Sequence, residues 1–172
     1  MAETNSLRDY QANILSRLEQ AKQAGSTAPA GYLGVVAGGQ YLLVNMQEIS
    51  ETLPMLDVFP VPIVKSWFLG MTNVRGVLYA INDLGELMTG SKTSMTNNTR
   101  VLLVSESVTS HVAILVERLI GLRKLETMQV ASVAANDSFC LSADSFQDAE
   151  NRVWRVLDCN KLIQSQQFVQ SF

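Results

Sequence analysis

Among 172 residues the chain has one histidine and two cysteines. His111, Cys140 and Cys159 cannot form a conventional zinc site without help from carboxylates, and no metal-ligand spacing is visible, so no metal is expected. Two cysteines also cannot build a disulfide framework and read as reduced thiols. Phosphate-binding glycine loops, dinucleotide fingerprints and nucleophile elbows are missing, so neither a catalytic residue nor a cofactor site is legible. Charge is scarce: 17% of residues are charged and the formal net charge is -3, without long runs of one sign. That excludes the basic footprint a phosphate backbone requires, and no nucleic-acid partner is expected. The longest nearly apolar stretch, residues 32–39, contains three glycines and falls short of the roughly 20 residues that cross a bilayer, so direct membrane insertion is not expected. The opening MAETNSLRDY carries no basic stretch followed by an apolar one, which points to a cytoplasmic protein.

Apolar residues are plentiful. At 47% hydrophobic, the chain can bury a core, and its length suits one ordinary domain or two very small ones sharing a core. From Ser6 onward, Leu7, Tyr10, Ile14, Leu18 and Ala21 fall at helical spacing, Ser6 with Asp9 fits a capping box, and Gly25 fits the stop. The sequence therefore predicts an amphipathic helix, then a small, flexible linker through residue 30. From Tyr32 the period changes. Two strand-like runs flank Gly38-Gly39, as in a hairpin.

Asn45 with Glu48 three residues later predicts a short helix over Met46–Thr52. Pro54, Pro60 and Pro62 confine residues 53–63 to an extended edge segment. A second hairpin is predicted on either side of Asn73–Gly76. After a polar stretch come β runs at 100–105, 111–116 and 119–125, rich in β-branched residues. Residues 126–151 read as irregular with one short strand near 138–141. A last strand over 152–158 precedes a terminal helix capped by Asp158 or Asn160. Short strands in two clusters flanking a loop at 85–99, without long helical crossovers, predict a mainly β fold of two small barrels packed together.

Taken in order, Gly38-x-x-Tyr41, Met46-Gln47-Glu48-Ile49, Val61-Pro62, Trp67-x-x-Gly70-x-x-Asn73-Val74-Arg75-Gly76, Asp83-Leu84, Val116-Glu117-x-Leu119 and Leu157-Asp158-x-x-Lys161-Leu162 resemble the CheW-like coupling-protein family over residues 31–165. The tryptophan before the glycine, the valine in the turn and the leading helix resemble the branch serving type IV pilus twitching, the PilI-type adaptors. The chain departs from the family pattern at Ala80, where a proline is usual, at Asn82, where the residue is usually apolar, and at Glu117, where aspartate is common.

The resemblance implies a CheW-like domain over residues 31–172 with two five-stranded SH3-like barrels, preceded by the helix and linker of residues 1–30. It also implies a non-catalytic adaptor. One surface would dock the regulatory domain of a CheA-type histidine kinase and another the cytoplasmic tip of a methyl-accepting chemoreceptor, with recruitment to membrane receptor arrays. Family positions place Met46, Glu48, Ile49, Val74 and Arg75 at partner contacts. They pair Glu48 with Arg75, while Asn73 and Gly76, both tolerant of left-handed backbone, read as structural turn residues. An arginine fork at a tight turn can hold a carboxylate in a bidentate way. Met46 and Ile49 are equally at home in a core, and Trp67 suits a core plug. Two alternatives stay open: a single-partner regulator of the same fold that titrates the kinase, and a small β-barrel ligand carrier or enzyme using His111 or Asp83.

Overall fold

The computed structural model describes residues 31–132 and 138–170. The predicted amino-terminal helix, and the linker up to residue 30, lie outside the described residues. The described chain is mainly β, in two mixed sheets. The first runs in the order β8-β1-β2-β11-β10-β9 and the second β3-β6-β7-β5-β4. The strands are β1 (Tyr32–Ala37), β2 (Gln40–Asn45), β3 (Ile49–Pro54), β4 (Phe68–Val74), β5 (Val77–Asp83), β6 (Arg100–Val104), β7 (Val112–Val116), β8 (Arg118–Arg123), β9 (Gln129–Val130), β10 (Leu141–Gln147) and β11 (Val153–Leu157). Three short helices accompany them: α1 (Leu84–Thr89), α2 (Cys159–Gln164) and α3 (Gln166–Val169). The first sheet has six strands rather than the five expected, because the two-residue β9 adds itself to β10.

The sheets interleave along the chain. β1 and β2 open the first sheet, β3 to β7 build the second, and β8 to β11 return to the first, with β11 lying parallel to β2. This corrects the expectation of two clusters on either side of the 85–99 loop: β6 and β7 follow that loop yet pair with β3 and β5, which precede it. The cause lies in β6 and β7. Leu102, Val104, Ile114 and Val116 belong to a core shared with Leu33, Val35, Leu42 and Val44 of the first sheet. Their alternates Val101, Leu103, Ala113 and Leu115 fill a second core with Val74 and Ile81. Since side chains alternate across a strand, a strand buried on both faces needs an unbroken apolar run, and these two have one.

Local expectations fared unevenly. Gly38 and Gly39 both take positive φ, 56° and 71°, as a two-residue hairpin turn requires. Only Met46–Glu48 is helical, as a single 3-10 turn capped by the Asn45 side chain. Ile49 onward is β3, where Ile49, Glu51 and Leu53 are more buried than the residues between them. The β-branched Ile49 and Thr52 suit a strand better than a helix. Residues 53–63 do run at an edge, with Phe59 bridging to Met71. The irregular stretch after residue 126 contains β10, a seven-residue strand beginning where the short one was expected to end. α1 was not anticipated although Asp83 caps it, and the terminal helix breaks at Ser165, which ends α2 and caps α3.

The second sheet curls on itself. β3 and β4 are its opposite edges, which in a flat five-stranded sheet would stand about 19 Å apart. Yet Arg75, in the β4–β5 turn, reaches Glu51 on β3 at 2.8 Å.

Candidate functional site

The β4–β5 turn is the best-defined exposed feature. Val74 pairs with Val77, leaving Arg75 and Gly76 as the turn, with φ of 51° and 88°. The Asn73 side-chain oxygen accepts the Gly76 N–H at 2.8 Å and braces it. A glycine suits the second position because that conformation burdens a Cβ. Arg75 bears the same backbone conformation with a long side chain whose two terminal nitrogens fork onto both oxygens of Glu51.

Here the structure corrects the expected ion pair. Arg75 binds Glu51, not Glu48. A bulge between Ile49 and Glu51 sets the β3 register at that point, while Glu48 sits in the preceding 3-10 turn, hydrogen-bonded to the backbone and thiol of Cys159 at the start of α2. The fork itself is open to solvent, with Arg75 71% and Glu51 33% exposed at the side chain. It is a surface clasp, not a buried pair. The hydrogen bonds from Arg75 hold the Glu51 carboxyl below its ordinary value.

Glu48 occupies the junction between the sheets. Burial pushes its carboxyl above the usual range and the nearby Asp158 adds to this, against the hydrogen bonds from Cys159. One of its oxygens, Oε2, is buried without a hydrogen-bond partner. Its backbone carbonyl accepts the Ser105 N–H at 2.7 Å, tying the turn to the end of β6. Burial and the neighbouring Glu48 carboxylate push the Cys159 thiol well up, so it is a poor nucleophile. Met46 and Ile49 flank Glu48, partly buried against the shared core. The Met46 N–H is held by the Gly31 carbonyl at 3.1 Å.

Val74 is 9% exposed within the second core. Its side chain is unavailable to a partner, a correction to its expected contact role that follows from strand alternation. The Arg75 turn and the Met46–Ile49 turn are brought together only through β3, which carries Glu51.

The remaining singled-out residues serve the frame. Asp83 is 1% exposed; its oxygens accept the Glu86 N–H at 3.1 Å and the Thr93 hydroxyl and N–H at 2.6 and 2.8 Å, folding the 84–93 segment onto β5. Asn82, a departure from the family pattern, is buried and donates to the Ala80 and Ala113 carbonyls across β5 and β7. Glu117 accepts the Gly39 N–H at 2.9 Å and steadies the first hairpin turn. His111 lies exposed before β7, its ring edge-on to Tyr79 at 6.0 Å. Trp67 stacks on Phe168 of α3, with centroids 5.9 Å apart.

Sequence reasoning missed the cluster around Trp154. Its ring is fully buried, with Arg123 and Arg152 guanidinium groups 5.3 and 5.7 Å from it, and its indole N–H donates to Asp148 at 2.8 Å. Asp148, Arg152 and Trp154 lie within seven residues of one another, but nothing in that local spacing announces that Arg123, from β8, joins them. Among the described residues no helix is long and apolar enough to cross a membrane.

The family described as CheW-like domain matches residues 31–167. Protein PilI of Pseudomonas aeruginosa is 31% identical over 91 residues, which is 53% of this chain and 51% of that protein. The chain thus spans about half the length of this relative. The crystal structure of the scaffolding protein TtCheW from Thermoanaerobacter tengcongensis superimposes with a TM-score of 0.66 at 11% identity, covering 81% of this chain and 96% of that one. At such low identity the likeness concerns the fold alone. With most of its length matched, this chain belongs to the CheW-like family.

Proposed function

We propose that this chain is a non-catalytic adaptor coupling a methyl-accepting chemoreceptor to a CheA-type histidine kinase, in a cytoplasmic pathway that controls type IV pili. The family match over residues 31–167 carries this reading, and the partial identity to PilI supports the pilus branch. The receptor tip is assigned to the turn bearing Met46, Glu48 and Ile49, where apolar side chains border a half-buried carboxylate. A second docking surface is assigned to the Arg75 turn. Its preset backbone and forked side chain present a guanidinium without much further ordering, which favours association.

The adaptor role needs no bond-making residue, and of the two groups the enzyme alternative drew on, Asp83 has both oxygens engaged in holding the 84–93 segment. The single-partner alternative drew on Ala80 and Asn82, but Asn82 is turned inward and internally hydrogen-bonded, which leaves it no surface to act through.

The test is calorimetric binding of the full chain to a kinase regulatory domain and to a receptor-tip peptide from a pilus-type system. Both should bind, and Arg75→Ala should weaken one of them about tenfold, as loss of an interface arginine commonly does. Binding to neither partner would overturn the reading.

A further inference from the structure

We propose that the amino-terminal segment of this chain, residues 6–24, docks in cis along β8 and covers Leu119 and Leu122. The proposal goes beyond the adaptor reading and does not depend on it. β8 is one of the two edge strands of the first sheet. In register, Leu122 stands opposite Leu33 and Leu119 opposite Val35. Residues paired across an antiparallel ladder share a face, and Leu33 and Val35 are buried in the shared core. Leu122 and Leu119 nonetheless remain 63% and 36% exposed. The core-facing side of the sheet therefore runs on past its cover as an apolar shelf. At its far end it opens into a groove of about 410 Å³ lined by Asn98, Arg100, Arg118, Leu119 and Ile120.

The occupant follows from where the preceding chain starts. Tyr32 pairs with Arg123, so residues before it leave from beside Leu122. The linker of residues 25–31 can span up to about 25 Å, enough to pass along the roughly 20 Å of β8 and turn back. The sequence of residues 6–24 places Leu7, Tyr10, Ile14, Leu18 and Ala21 in one stripe. Such a stripe is stable as a helix in water chiefly when it is covered by apolar surface, and exposed Leu122 stands opposite Leu33, one residue from where the preceding chain joins β1.

Hydrogen exchange on the full chain tests this, comparing the wild type with the double variant Ile14→Asp, Leu18→Asp. If the segment covers the shelf, amides of residues 118–123 should exchange about tenfold faster in the variant, while those of β6 and β7 stay unchanged. Equal exchange at 118–123 would overturn the proposal, whether the shelf stays open or awaits another protein. As a second measurement, Leu122→Cys is combined in turn with Tyr10→Cys, Ile14→Cys and Leu18→Cys under mild oxidation. At least one pair should cross-link within a single chain. Cross-links formed solely between chains would assign the shelf to a second copy and overturn docking in cis.

Discussion

Glu48 and Glu51 lie three residues apart, yet their surroundings give them opposite characters. Glu51 is clasped by Arg75 in solvent, whereas Glu48 is half-buried beside Cys159 and Asp158. Because burial raises the Glu48 carboxyl, the folded chain holds that proton more tightly than the unfolded chain does. Its ionisation therefore costs stability as pH rises through and above the ordinary carboxylate range. Glu48→Gln should remove that cost, so denaturant midpoints of the variant should fall less than those of wild type between pH 4.5 and neutrality. A parallel pH dependence in both proteins would refute the assignment.

Asp148 runs the other way. Burial alone would raise it, but hydrogen bonds from the Trp154 indole, the Arg152 backbone and side chain and the Glu150 backbone hold it at about 2. Stability from this group is complete above the ordinary aspartate value and is lost as pH falls toward 2. Asp148→Asn should thus cost about 1–2 kcal/mol at pH 7, allowing for solvent screening, and flatten the acid limb of the melting curve below pH 4. Thermal melts across pH 2 to 7 would decide.

At the scale of elements, the β4–β5 hairpin is held from behind as well as at its turn. Gly70 has φ of 140°, and a Cβ there would stand 2.3 Å from the Phe59 carbonyl oxygen. Phe59 in turn exchanges two backbone hydrogen bonds with Met71. The clash is with backbone, so it cannot be relieved by a side-chain rotation. Gly70→Ala should cost about 2–4 kcal/mol, measurable by urea unfolding, and should detach the 55–63 segment from the sheet edge.

Hairpins were the most legible elements because turn chemistry is local: Gly38-Gly39 and Asn73–Gly76 mark both. β3 was misread because its capping signal is real but serves only one turn of helix, after which a partner strand, β6, captures Ile49–Pro54. The Glu51 clasp was hidden for a related reason. It depends on how far the second sheet curls, which no spacing in the chain records. α1 escaped notice because Asp83 was read as a motif member rather than a cap.

For the whole molecule, strands β6 and β7 bind both cores together, so neither sheet can lose its packing alone. Each sheet has its own tryptophan reporter: Trp154 in the first and Trp67 beside the second, stacked on Phe168. Fluorescence of Trp67→Phe and Trp154→Phe variants, corrected for each variant's stability, should trace single transitions that coincide with circular dichroism. Separate midpoints would show that the sheets unfold independently. The interleaving itself could not be read from the sequence. Apolar runs in β6 and β7 announced burial, but a run buried on both faces does not say which neighbours it serves.

The parallel pairing of β2 with β11 also governs synthesis. On a translating ribosome the second sheet can assemble from contiguous strands, while β2 waits for roughly a hundred further residues before β11 emerges beside it. Until then one flank of β2 is an unsatisfied ladder on a nascent chain, the stretch that a chaperone at the exit tunnel has most reason to shield.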